Sequence, residues 1–252
     1  MKSIDFFLNE VHHGDCLEIM KDIPDGSIDM VLCDLPYGTT QCKWDTIIPF
    51  GPLWEEYRRV AKKNAAIVLT AAQPFTSVLV ASNLKEFKYT WVWEKSKATG
   101  YLNAKKMPMR AHEDVCVFYR KPPVYNPQKW MSTPYNKGTA HRPTEVYGKQ
   151  KEVTVKNDTG ERYPRTVQYF KTAESEGKVY HPTQKPVSLF QYLIETYSNE
   201  GDVVLDTCLG AGTTALAALK SNRNFVGIEL DEEYVSISRQ RIEDHRKSLG
   251  LK

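Results

Sequence analysis

Hydrophobic positions along this chain alternate between two kinds of pattern. Short continuous apolar runs, Met30-Val31-Leu32-Cys33 and the seven residues AAIVLTA from 65 to 71, have the form of strands buried on both faces of a parallel sheet. Between and after them apolar residues recur at helical spacing. Leu53, Tyr57 and Val60 predict a helix over 52–64, and PFTSVLVASNLKEF predicts one over 74–87, with Pro74 near its start. A short strand is expected from Val11 to Asp15, a helix from Leu17 to Asp22 and a strand from Asp29 to Cys33. YTWVWEK and EDVCVFYRK alternate, as an antiparallel pair near a sheet edge would.

From 121 to 178 the periodicity fades, and the chain is rich in Pro, Tyr, Gly and Lys. Order returns with a helix over 181–202. Strand VVLD (203–206), turn TCLGAG, helix TTALAALKS, strand FVGIEL and a helix beginning DEEYVSISRQRIEDH follow. Strands alternating with helices predict an α/β fold with a doubly wound, mostly parallel sheet. The expected organisation is one domain formed by 1–120 and 179–252, interrupted by an insertion, 121–178.

Composition narrows the class. The 252 residues are 41% hydrophobic and 26% charged, those of a globular chain with a sizeable core. Net charge is only +3, so its distribution carries the information. The insertion holds eleven Lys or Arg against six Asp or Glu, interleaved with Tyr125, Trp130, Tyr135, Tyr147, Tyr163 and Tyr169. That suits nucleic-acid backbone and groove contacts, and equally a basic loop without readout. Five scattered cysteines without CxxC spacing fit reduced thiols in a cytoplasmic protein and no zinc site. His12, His13, His112 and His181 have no ligand spacing, so no metal is assigned. No run approaches a membrane span, and the N-terminal stretch lacks a signal-peptide core.

The glycine turn is the first candidate for chemistry. Gly210 and Gly212 allow a ligand close to the backbone at a helix N-terminus. Glu229 ends the next strand about twenty residues on, where a carboxylate can accept from both ribose hydroxyls. The turn departs from GxGxxG, which favours a single nucleoside conjugate over a dinucleotide; helix–strand packing alone would also use such glycines. Asp206, at the tip of its strand, suits an ammonium group or the ordering of the turn. Thr183 and Lys185, with the helix amides after Pro186, suit a carboxylate. Together these sites describe an amino acid joined to a nucleoside.

The second candidate is Asp34-Leu35-Pro36-Tyr37, directly after a buried strand. Alone it would pass for an ordinary turn. Its place before the basic insertion, HPTQKP (181–186) and DTCLGAGTT (206–214) changes that. In that order, the chain resembles the S-adenosylmethionine-dependent DNA amino-methyltransferases of the permuted β class. The resemblance covers nearly everything outside the insertion. It has two departures: Leu35 stands in place of a proline, and Cys208 in place of a phenylalanine.

The resemblance implies a seven-stranded, Rossmann-like methyltransferase sheet with circularly permuted motif order. It implies S-adenosyl-L-methionine as cofactor, held by Asp15, Cys16, Thr183, Lys185, Asp206, Cys208, Gly210, Gly212, Thr213 and Glu229. Asp15 fits a helix N-cap as well. The catalytic group would be Asp34, Leu35, Pro36 and Tyr37. The Asp34 carboxylate and the Leu35 carbonyl would bind an exocyclic amine, and Tyr37 would stack on a flipped base.

Double-stranded DNA would be contacted by Trp44, Lys105, Lys106, Arg110, Lys129, Arg142, Lys149, Arg162 and Arg165. Trp44 fits a packed core position equally, and Lys105, Lys106 and Arg110 a solvated loop. Asp34 favours adenine N6, since cytosine-N4 enzymes more often carry Ser there; cytosine N4 is the close rival. The chain has no Pro-Cys pair for cytosine-C5 chemistry. A related class, which methylates glutamine or RNA, uses an Asn-Pro-Pro-Tyr turn, without this motif order and insertion. A DNA-binding relative that has lost catalysis is the non-enzyme reading. A homodimer and a cognate restriction endonuclease are partners the resemblance allows, in a prokaryotic or phage-encoded, cytoplasmic setting.

Overall fold

A computed structural model describes residues 2–40, 42, 45–140, 153–248 and 250. The main unit comprises 1–126 and 166–252 and is built on one eight-stranded sheet. Its strands are β1 (Glu10–His13), β2 (Ile28–Cys33), β3 (Ala61–Ala71), β4 (Phe87–Thr99), β5 (Arg110–Phe118), β10 (Val167–Phe170), β11 (Val203–Asp206) and β12 (Asn224–Glu229). They lie in the order β1-β12-β11-β2-β3-β5-β4-β10. Only β5 runs against its neighbours.

Helices cover both faces. α1 (Cys16–Met20), α2 (Phe50–Val60) and α3 (Phe75–Ser82) pack on one side, where Met20, Leu53, Tyr57 and Phe75 meet Val31 and Leu69. α4 (Val187–Tyr197), α5 (Thr213–Lys220) and α6 (Glu232–Ser248) cover the other, with Phe190, Ile194 and Leu216 against Leu32, Val68 and Val204. The stretches Met30–Cys33 of β2 and Ala65–Ala71 of β3 are buried because both faces are covered there.

The sheet has eight strands, where seven were expected. The added strand, β10, comes from within 121–178 and pairs parallel to β4. The Trp93 indole donates to the Phe170 carbonyl at 2.9 Å, and the Phe170 ring packs on Tyr192. Three helices, α2, α3 and α4, are shorter than their periodicity suggested; α3, expected to reach 87, stops at Ser82, where Asn83 leaves helical geometry. α2 stops at Val60, because Ala61 is already extended and pairs with Ile28. α4 begins at Val187, with Pro186 as its extended cap rather than its first helical residue.

A second compact unit spans Pro127–Arg165, narrower than the expected insertion. It contains two small antiparallel ribbons, β6 (Trp130–Met131) with β9 (Glu161–Arg162) and β7 (Tyr135–Ala140) with β8 (Val153–Asn157). Gly160 is its one buried residue among those described. Its φ is +81°, and a Cβ there would lie 2.2 Å from the Ser132 carbonyl oxygen, so only glycine fits this turn.

Candidate active site

β11 and β2 are neighbours although they lie far apart in sequence, pairing Val204 with Met30 and Leu205 with Val31. From β2 the chain continues to β3 on one side of this pair, and from β11 to β12 on the other. That is a topological switch point, where ligands of open α/β sheets bind at the carboxyl ends of strands. Asp206 ends β11 and Asp34 directly follows β2. A cavity of about 360 Å³ opens there. Its walls include Asp15, Cys16, Asp34, Leu35, Pro36, Tyr37, Thr183, Lys185, Asp206, Cys208, Gly210, Thr213 and Glu229, so nearly every residue expected of the catalytic and cofactor groups meets in one place.

Gly212 is absent from these walls. It caps α5 at φ +84°, and a Cβ on it would lie 3.1 Å from Ser238. Its lack of a side chain serves the packing of α5 on α6.

At the Asp34 end, both carboxylate oxygens are engaged. Tyr37 donates its hydroxyl to Oδ1 at 2.7 Å, Thr70 donates to the same oxygen, and Lys185 donates to Oδ2 at 2.7 Å. A carboxylate offers roughly four acceptor positions, so one further N–H can be received. The Tyr37 ring stacks on Phe75 with centroids 4.9 Å apart. Burial, followed by the nearby Asp34 charge, pushes the Tyr37 phenol well above its usual range, so it stays a donor. Leu35 is buried in the core on the α1–α3 side. Asp45 holds the following loop by accepting from the backbone N–H groups of Gly38, Thr39 and Thr40 at 2.7–2.9 Å.

Lys185 sits differently from its expected place at a cofactor carboxylate. Its buried ammonium lies between Asp34 and Glu113, 3.4 Å from the latter. Burial alone would lower its pKa; the two carboxylates outweigh that and hold it above the ordinary lysine value. The α4 amides expected nearby are also committed, since Val187 and Ser188 donate to the Glu176 carboxylate at 2.6 and 2.9 Å. Thr183 remains in the wall, its hydroxyl 3.1 Å from His181 Nδ1.

The Asp206 end is built of hydrogen bonds, with no cation paired to it among the described residues. Asp206 accepts from the Cys208 amide at 2.9 Å and from the Thr214 hydroxyl. Burial raises its pKa to about 7 against the opposing effect of these bonds. Glu229 accepts from the amides of Gly210 at 2.6 Å and Asp231 at 2.9 Å. Burial again raises its pKa, opposed by those amides. Asp15 is both cap and wall: it receives the Leu17 amide at 2.8 Å and lines the cavity. Hydrogen bonds with the Cys16 and Cys33 thiols, together with burial, hold the Cys208 thiol well above its ordinary value. It therefore fills the phenylalanine's place as a neutral, compact wall.

Sequence reasoning missed three contributors. Thr70 was detectable as the one polar residue in the apolar run 65–71. Asp45 lay beside Trp44 without an assigned role, and Glu113 gave no local signal. Of the expected DNA contacts, Lys105, Lys106 and Arg110 are exposed where β4 turns into β5. Lys129 pairs with Glu161 at 3.0 Å, and the Arg162 guanidinium lies 4.5 Å from the Tyr135 ring centroid. Arg165 ends the small unit. Trp44, Arg142 and Lys149 lie outside the described residues. Among the described residues, no group of His, Cys, Asp or Glu has metal-binding geometry, and no helix is long and apolar enough to cross a membrane.

Comparison with known proteins gives the family. The Type II methyltransferase M.HpaI of Haemophilus parainfluenzae is 25% identical over 91% of this chain and 73% of its own. The DNA adenine methyltransferase YhdJ of Escherichia coli K12 is 29% identical over 92% of this chain and 81% of its own. Among solved structures, the M1.HpyAVI–SAM complex superposes with a TM-score of 0.64 at 22% identity, over 92% of this chain and 98% of that one. The cytosine-N4-specific PvuII DNA methyltransferase does so with a TM-score of 0.63 at 16% identity, over 94% and 91%. These two likenesses show the fold. A DNA methylase family model spanning N6 and N4 enzymes matches residues 28–240, and the chain belongs to that family.

Proposed function

We propose that this DNA methyltransferase modifies the N6 amine of an adenine swung out of the duplex, at the Asp34 end of the cavity. The observation that carries this reading is the convergence of two unlike carboxylate sites in one cavity. Asp34 is set among donors, with an acceptor position free; Asp206 is buried with no cation paired to it among the described residues. S-adenosyl-L-methionine fits the second site. The volume lies in the range of small-molecule pockets, Asp206 would take the ammonium, and Glu229 would take ribose hydroxyls beside the Leu230 and Tyr234 side chains. When bound, the cofactor supplies an electrophilic methyl group.

The protein's task is to make the amine a nucleophile. An adenine amine is a poor one because its lone pair is conjugated into the ring. Asp34 and the Leu35 carbonyl accept its two N–H groups and direct the lone pair into the cavity. Pre-organised acceptors of this kind stabilise the positive charge that develops on nitrogen. Pro36 fixes the carbonyl's geometry, and Tyr37, braced by Phe75, stacks on the base. Lys105, Lys106 and Arg110, and separately Lys129 and Arg165, would contact DNA backbone, consistent with their exposure.

The same geometry would serve cytosine N4, so the test is chemical. DNA methylated by the protein is digested to nucleosides and weighed. N6-methyladenine is the expected product; N4-methylcytosine without it would refute the adenine assignment.

A further inference from the structure

Behind Lys185 lies a second, buried ion pair that no part of the reaction just described uses. Lys95 on β4 is 3.2 Å from Glu113 Oε1, and Glu113 Oε2 is 3.4 Å from the Lys185 ammonium. The four groups therefore alternate in sign: Asp34, Lys185, Glu113, Lys95. Lys95 continues the inward face formed by Trp91 and Trp93, where the strand pattern calls for an apolar residue, and its side chain is only 3% exposed. Glu113, opposite Trp93 on β5, is no part of the cavity wall, so its effect on that cavity passes through Lys185.

A buried ion pair is seldom more stabilising than well-packed apolar residues in its place. β4 and β5 are already joined by a ladder from Phe87–Phe118 to Glu94–His112. An apolar pair would join them as well. What the ion pair adds is a fixed second anion for Lys185. With Asp34 as its sole partner, the buried ammonium would draw that carboxylate toward itself. Held also by Glu113, it becomes a fixed donor against which Asp34 is aimed.

We propose that Glu113 and Lys95 are positioning residues for methyl transfer: Lys95 anchors Glu113, Glu113 anchors Lys185, and Lys185 sets the direction in which Asp34 presents its free acceptor position. This rests on the reading of Asp34 as the acceptor of the base amine. It assigns to β4 and β5, which lie outside the motifs at 34–37, 181–186 and 206–214, control over the rate but not over cofactor binding.

The test uses Glu113→Gln and the double variant Glu113→Gln/Lys95→Met. The double variant removes one charge of each sign and so leaves no buried ammonium without a partner. Thermal melting, calorimetric titration with S-adenosylmethionine and the single-turnover methylation rate are measured on each. The double variant is expected to melt close to the wild type and to bind cofactor within about threefold. Its methylation rate should fall by about 10–100-fold, the scale expected for a misaligned acceptor. Glu113→Asp, which keeps the charge but retracts it from Lys185, should lose rate in the same sense.

A folded double variant that methylates within twofold of wild type would overturn the proposal. So would a cofactor affinity that falls in step with the rate, which would make Glu113 part of the cofactor site. Wild type is assayed in parallel. If it transfers no methyl group to DNA, the reading of the site fails and this inference with it. If wild type is active and the variants match it, only the role of Glu113 and Lys95 fails.

Discussion

Asp34 and Asp206 stand at the ends of adjacent strands in the same cavity, yet their surroundings are opposites. Asp34 is met by an ammonium and two hydroxyls. Among the described residues no cation pairs with Asp206, and burial lifts its pKa to about 7. The first is a finished electrostatic arrangement, with its charge balanced by the protein. The second has hydrogen bonds from Cys208 and Thr214 but no balancing charge among the described residues. Two identical side chains thus have two environments, the kind of contrast that gives pairs of carboxylates different roles in other enzymes. On the proposed function, the difference divides the cavity into an end for chemistry and an end for binding.

The contrast can be broken most severely at Asp34. Asp34→Ala removes one of two acceptors for the amine and should lower the methylation rate by about 10²–10³-fold, or ~3–4 kcal/mol, read as tritium transfer to DNA. A near wild-type rate in the folded variant would place the chemistry elsewhere.

At the other end, Asp206→Asn should weaken cofactor binding by roughly 30-fold, about 2 kcal/mol, for loss of a buried charge partner. The sign of the pH effect follows from the raised pKa. Below about 7 the carboxyl holds a proton that the ammonium must displace, so wild-type affinity should rise as pH increases through that value and then level off. Fluorescence titration between about pH 5.5 and 8 reads this. A pH-independent affinity, or equal slopes in wild type and Asp206→Asn, would remove Asp206 from the ammonium site.

Smaller changes sharpen the comparison. Thr70→Val keeps shape but deletes one donor to Asp34, and should slow transfer by about tenfold, ~1.4 kcal/mol, with cofactor affinity preserved. An unchanged rate would mean that Tyr37 and Lys185 suffice. Leu35→Pro keeps the carbonyl and loses some buried surface. Activity within about tenfold of wild type is expected, with a slightly lower melting temperature. A loss of several orders of magnitude in a folded protein would show that the Leu35 side chain itself shapes the base pocket.

What could be read in the sequence followed from local physics. Met30–Cys33 and 203–206 announce themselves as buried runs, and the residues just beyond them are polar because strand ends open into the cavity. Lys185 lines the expected cavity, but its contacts with Asp34 and Glu113 were not legible, since nothing local ties it to Glu113 on another strand. The α4 amides looked available because Glu176 reaches them from outside the helix. The eighth strand was hidden in a stretch where only alternate residues of Val167–Phe170 are partly covered, too weak a pattern to stand out. In the Pro127–Arg165 unit the described side chains are not buried, so hydrophobic periodicity had nothing to report.

Calorimetric titration of Asp34→Ala and Asp206→Asn with S-adenosylmethionine, side by side with wild type, bears most directly on the division of the cavity. Asp34→Ala should bind the cofactor as wild type does, and Asp206→Asn should bind it more weakly by the roughly 30-fold given above. The reverse pattern, with affinity lost at Asp34 and kept at Asp206, would mean that the two carboxylates have been assigned to the wrong ends of the cavity.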